Sequence, residues 1–148
     1  MKLLVIGYGN PGRLDDGLGV AFAERIQAME LPGVAVESNY QLNVEDAELV
    51  SRFDTVVFAD ASVDAEPPFE FTPLEKKPAM VGFSSHSITA GSLLGVAAEL
   101  FGANPQAYAM AIRGYDYDEF GEYLSPEAQS NLDAAVGHFL SWLDGNGA

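Results

Sequence analysis

The 148-residue sequence predicts a single α/β domain spanning residues 1–148, built on a mostly parallel sheet of about five strands. Three observations carry this expectation. The runs Leu3–Ile6 and Thr55–Ala59 are continuously apolar, as strands covered on both faces are. Between the strand candidates lie segments whose apolar residues recur at helical spacing. The hydrophobic fraction of 48% suits a packed core rather than a disordered chain. A chain of this size buries roughly 70% of the surface its unfolded form exposes, so the core needs no staples.

Leu3 to Ile6 ends in glycine. It is too short for a signal peptide or a membrane span and reads as a buried strand. Leu18, Phe22, Ile26 and Met29 mark an amphipathic helix that Pro32-Gly33 stops. Val34 to Glu37 is a short strand, and Val44 to Val50 a short helix with Asn43 as its cap. Thr55 to Ala59 is a central parallel strand ending at Asp60. A polar, proline-containing loop over 62–68 leads to an edge strand at Phe69–Phe71. Lys76-Lys77-Pro78 opens a connection that runs to about Ser87. Leu93, Leu94, Ala97 and Leu100 share one face of a helix over about 90–102, and Ala107–Ile112 is the last strand. Ser125-Pro126-Glu127 then starts a helix: serine caps, proline takes the first helical position, and an acid sits at the positive end of the dipole. That helix runs through Leu132, Val136, Phe139, Leu140 and Leu143 to Gly145. Repeats, linkers and low-complexity tracts are absent from the sequence.

Seven basic residues stand against 22 acidic ones, a net charge of −15. That field repels phosphate backbones and anionic membranes, and no basic cluster offsets it, so neither nucleic acid nor membrane is expected as a partner. A metal ion or a basic protein segment suits it better, though solubility alone would also account for the acidity. The sequence has no cysteine, which removes disulfides, thiolate metal sites and cysteine nucleophiles. A cytoplasmic location fits.

Several groupings could carry chemistry. Gly7-Tyr8-Gly9-Asn10-Pro11-Gly12 matches the dinucleotide fingerprint G-x-G-x-x-G between a strand and a helix, and Glu37 follows somewhat late for a ribose ligand. Against that reading, Asp15 and Asp16 stand where a pyrophosphate needs positive potential. A tight turn capped by an aspartate is the plain structural alternative. Asp60 lies at the carboxyl end of the most apolar strand, where open parallel sheets bind ligands, although caps and turns also use such residues. His86 lies in a Ser-rich loop before a helix, whereas His138 falls inside the last helix and reads as a packing or surface residue. Two carboxylates and one imidazole would suit divalent nickel, zinc or manganese. Ser84, His86 and Asp60 could alternatively form a hydrolase triad, but the segment Gly82-Phe83-Ser84-Ser85-His86 lacks the final glycine of a nucleophile elbow. H-E-x-x-H is absent.

Taken together, these residues resemble the nickel-iron hydrogenase maturation endopeptidases. The motif Gly7-x-Gly9-Asn10 followed by Asp15-Asp16-Gly17-x-Gly19, the strand end Phe58-Ala59-Asp60-Ala61, Ser85-His86 and Leu124-Ser125-Pro126 carry the resemblance across nearly the whole chain. It implies a twisted sheet between helices and an enzyme that removes a C-terminal peptide from the nickel-loaded large-subunit precursor of a hydrogenase. It also implies Asp16, Asp60 and His86 as catalytic, metal-binding residues, with nickel carried by the substrate and no nucleotide. Gly9, Asn10 and Gln41 would contact substrate, and the protein would act as a monomer. Gln41-Leu42-x-x-Glu45 and Tyr117-x-x-Phe120-Gly121-Glu122-x-Leu124-Ser125 are similar to the branch serving bidirectional, NAD-linked hydrogenases. The acidic, aromatic stretch Tyr115–Phe120 departs from the pattern; it lines a substrate groove or forms a loop with buried aromatics. A non-catalytic nickel-binding maturation chaperone and a dinucleotide-binding domain remain the alternatives.

Overall fold

Alternating apolar and helical segments fold into one five-stranded sheet with helices on both faces. The computed structural model describes residues 2–79 and 88–147. The strands are β1 (Leu3–Tyr8), β2 (Val34–Asn39), β3 (Thr55–Ser62), β4 (Phe69–Pro73) and β5 (Gln106–Arg113), in the order β2-β1-β3-β5-β4. β1 pairs in parallel with β2 and β3, β3 pairs in parallel with β5, and only the edge strand β4 runs antiparallel. The helices are α1 (Leu18–Ala28), α2 (Asp46–Val50), α3 (Ala90–Phe101) and α4 (Pro126–Gly147). The α/β expectation holds, including the edge strand.

Side chains alternate across each strand, so β1 feeds two cores. Leu3 and Val5 pack with Phe22 and Ile26 of α1 and with Leu132 and Phe139 of α4. Leu4 and Ile6 pack on the opposite face with Ala47 and Val50 of α2 and Leu93 and Leu94 of α3. This two-sided burial explains why the β1 and β3 runs lack polar alternation. Far along α4, Trp142 meets the rings of Phe71 and Tyr108 edge-on, with centroids 5.4 and 5.1 Å away. His138 packs against Phe69 and Phe71, as a packing residue of the last helix should.

Local signals decide the helix ends. Ser125 caps α4, its Oγ accepting from the Ala128 N–H at 3.2 Å. Thr89 does the same for α3 through the Ser92 N–H. At α2 the expected cap is inverted. Asn43 does not offer its side chain; instead its backbone N–H donates to Asp46 Oδ2 at 2.9 Å, and α2 begins only at Asp46. Among the described residues no helix is long and apolar enough to cross a membrane.

Candidate functional site

β1 and β3 are in register at Gly7 and Ala59, so both deliver their following residues to the same carboxyl edge. After β1 the chain passes Gly9 and Asn10 and enters a 3-10 turn over Leu14–Gly17 that presents Asp16. Asp60 stands in the last part of β3, opposite Ala111 of β5. Asp16 and Asp60 stand on either side of the Gly9-Asn10 turn, Asp60 through its carboxylate near Gly9 and Asp16 through its carboxylate at the Asn10 N–H. A Cβ on Gly9 would come within 3.8 Å of Asp60 Oδ1 and 2.2 Å of the Asp16 carbonyl oxygen, and Gly9 itself holds φ at +133°. Only glycine fits this position. Gly19, at the start of α1, is equally constrained, because a Cβ would meet the carbonyl oxygens of Ala59 and Tyr8 at 2.4 and 2.5 Å. Close packing of helix on sheet therefore accounts for these glycines without a nucleotide.

Each carboxylate is oriented by one backbone amide. Asn10 N–H donates to Asp16 Oδ2 at 2.9 Å, and Ala61 N–H donates to Asp60 Oδ1 at 2.8 Å. The second oxygen of each has no partner among the described residues. Burial pushes the Asp60 carboxyl up to about 7; the Ala61 hydrogen bond opposes this and the Asp16 charge adds to it. A cation between the two would relieve both causes, and carboxylate oxygens suit a divalent metal. Burial and then Asp60 also raise the Tyr8 hydroxyl.

The third expected ligand, His86, lies outside the described residues, as do Ser84 and the nucleophile-elbow segment. Among the described residues no three His, Cys, Asp or Glu side chains gather as a metal site. Gly9 and Asn10 stand at the carboxylate pair. Gln41 lies on the loop after β2, where its amide donates to Asn43 Oδ1 at 3.5 Å.

Asp15 and Asp16, adjacent in sequence, do different work. Asp15 is fully buried and accepts four hydrogen bonds: from the N–H groups of Tyr115, Asp116 and Ser125 at 2.8, 2.9 and 2.8 Å, and from Ser125 Oγ at 2.7 Å. Burial alone would raise its pKa; the bonds from Asp116, Ser125 and Tyr115 outweigh that and hold it below the usual range. The carboxylate thus ties the 3-10 turn to the start of α4. It also brings Tyr115–Phe120 against the site, a neighbour the sequence left open between groove and loop. Tyr117 lines a cavity of about 290 Å³ with Asp116, Asp118 and Glu119. Its hydroxyl is pushed up to about 12 by burial and by the charges of Asp15, Asp16 and Asp60, and it has no hydrogen-bond partner among the described residues. The sequence signal for this neighbour was the run of tyrosines between acids.

The dinucleotide alternative requires free amides in the glycine loop. Here they are taken. Gly9 N–H donates to Asn39 O, Asn10 N–H to Asp16, Gly12 N–H to Asn10 Oδ1 and Arg13 N–H to Asn10 O. Leu14, Asp15 and Asp16 N–H groups donate to the carbonyls of Gly121, Asp116 and Arg13. The Asp16 carboxylate itself takes the Asn10 N–H and adds negative charge at the loop, which would repel a phosphate. Titration with NADH should leave the amide resonances of residues 9–16 unmoved; saturable shifts there would restore the nucleotide reading.

No family model and no curated protein matches the sequence. Solved structures do. The hydrogenase maturating endopeptidase HybD from E. coli superposes with a TM-score of 0.72 at 22% identity, covering 99% of this chain and 94% of that one. The [NiFe] hydrogenase maturation protease HycI from Thermococcus kodakarensis gives 0.71 at 20% identity over 97% and 92% of the two chains. A hydrogenase 2 maturation peptidase from a Thaumarchaeota archaeon gives 0.71 at 22% identity over 97% and 99%. End to end, this chain has the fold of the hydrogenase maturation endopeptidases.

Proposed function

We propose that the protein is an endopeptidase that removes a C-terminal peptide from the nickel-loaded large-subunit precursor of a nickel-iron hydrogenase. The observation that carries this reading is the carboxylate pair at the Gly9-Asn10 turn on this fold. Asp16 and Asp60 each keep one oxygen without a partner among the described residues, at the sheet edge where ligands of parallel sheets bind. His86 would supply the third donor. Three donors leave coordination positions open, which suits nickel presented by another protein better than a closed storage site. The nickel is thus part of the substrate; bound between these residues, it would anchor the precursor and polarise the peptide to be cut. The branch motifs at Gln41–Glu45 and Tyr117–Ser125 favour a bidirectional, NAD-linked hydrogenase as the source of the precursor. The enzyme works as a cytoplasmic monomer in this reading.

The test is a cleavage assay with nickel-loaded and metal-free precursor. Wild type should cut only the loaded form, and the isolated protein should purify largely without metal. His86→Ala should abolish cleavage and leave the thermal melt unchanged. Equal cleavage of both precursors, or normal cleavage by His86→Ala, would reject the reading. Tight, stoichiometric binding of loaded precursor without any cleavage would favour the chaperone alternative.

A further inference from the structure

Beyond Gly9 the surface opens outward. A cavity of about 240 Å³ lies between Gly9 and Tyr40, with Pro11 and Val20 in its wall. The same two residues wall a second cavity of about 230 Å³ that reaches Leu14 and Tyr123. Leu14 and Tyr123 in turn wall the cavity of about 290 Å³ that ends at Glu119. These shared wall residues place the three side by side as a segmented trough, from Gly9 across the glycine loop to the acidic segment.

We propose that this trough docks an extended, basic segment of the partner protein, with arginine or lysine side chains seated on its aromatic rims. This docking rests on the endopeptidase reading and assigns the part of the precursor that reading leaves open. Charge points to the occupant. Glu24, Glu122, Asp116, Asp118 and Glu119 stand in the walls; among the described residues the walls contain no lysine or arginine, and one cation, Arg13, reaches the acidic end from outside, donating to Tyr117 O at 3.3 Å. No lysine or arginine follows Arg113 in the sequence. A second copy of this chain, itself at −15, would be repelled. Apolar floor residues such as Pro11, Leu14 and Val20 suit the aliphatic stems of lysine and arginine.

Exposed rings supply an independent observation. Tyr40 is 72% exposed and Tyr123 64%, both on the trough, and Phe120 beside it is 85% exposed. The open faces of such rings attract cations. Phe120 already does so within the chain: the Arg13 guanidinium lies 5.8 Å from its ring centroid. The trough is also preformed. Gly121 N–H donates to Gly12 O at 2.8 Å and Leu14 N–H to Gly121 O at 3.0 Å, so both walls are fixed to each other before anything binds.

The test uses two probes on the whole protein: the nickel-loaded precursor, and an N-acetylated hexapeptide of alternating arginine and glycine. Asp118→Asn/Glu119→Gln/Glu122→Gln should bind the precursor about tenfold more weakly than wild type, and its binding should respond less to salt. Tyr123→Ala should weaken binding similarly, with the single-turnover cleavage rate at saturating precursor within about twofold of wild type. The arginine peptide should shift the Tyr123 ring resonances, and a glutamate counterpart should not. Wild-type affinity in the triple variant, equal shifts from the glutamate peptide, or a dimer in sedimentation that Tyr123→Ala dissolves would overturn the docking. If wild type cleaves the precursor and the variants match it, only the trough is wrong. If wild type neither binds nor cleaves the precursor yet takes the arginine peptide, the endopeptidase reading falls and the cationic docking site stands.

Discussion

Replacing Asp15 with alanine is expected to destabilise the protein by about 4–6 kcal/mol, whereas Asp16→Ala should shift stability by less than about 1 kcal/mol. Asp15→Ala strips the acceptor from three backbone amides and one hydroxyl in a buried place, and each orphaned group costs about 1–3 kcal/mol. Set against a typical total of roughly 5–15 kcal/mol, that loss threatens the fold itself. Asp16 accepts one hydrogen bond among the described residues, from the Asn10 N–H, in a half-buried setting. Urea unfolding followed by circular dichroism would separate the two; similar midpoints for both variants would refute the division of labour. The pH dependence has a definite sign. Because the Asp15 pKa is depressed in the folded protein, its contribution is fully present above the unfolded value of about 3.9 and is lost as pH falls through the lower folded value.

Asp60→Asn should do the reverse: end function and strengthen the fold. Loss of a ligand charge is expected to slow precursor cleavage by more than about a hundredfold. The metal-free variant should nevertheless be more stable than wild type by about 2 kcal/mol at alkaline pH, because it no longer buries a charge beside Asp16. Here the folded pKa, about 7, lies above the unfolded one. The native state holds the proton more tightly, so Asp60 favours folding most below the unfolded pKa, and that advantage disappears as pH rises through about 7. Wild type and Asp60→Asn should therefore unfold at similar urea concentrations below about pH 4, diverge as pH rises toward 7, and keep a constant gap above it. An asparagine variant no more stable than wild type in alkali, or one that cleaves normally, would contradict this account.

The sheet was legible in the sequence wherever burial on both faces removed polar alternation, as at Leu3–Ile6 and Thr55–Ala59. Ser125-Pro126 was legible because cap chemistry is local and its geometry follows from three adjacent residues. Position within a 3-10 turn is different. Asp15 and Asp16 are chemically identical neighbours, and which one turns inward depends on the segment around Tyr115–Ser125, a hundred residues away in sequence. The same long reach hid Tyr117, whose place beside the carboxylates is set by the Asp15 bonds rather than by anything near it in the chain. Asn43 illustrates a smaller ambiguity: Asn43 and Asp46 both have cap-forming side chains, and only the fold shows that the aspartate reaches backward. The glycine fingerprint misleads for a physical reason, since close packing of a helix on a sheet asks for the same small residues that a pyrophosphate does.

Trp142 is the only tryptophan in the chain, and its ring sits in the aromatic stack of Phe71 and Tyr108. Its fluorescence therefore reports on a single event, the seating of the far end of α4 on β4 and β5. Along the helix, Trp142 lies roughly 24 Å from the Pro126 end that Asp15 secures, at about 1.5 Å of rise per residue. Emission should stay constant while a partner occupies the carboxylate pair and should shift to the red when α4 lifts away. In an Asp15 variant the signal would show whether α4 detaches as a unit before the sheet opens or whether both are lost together.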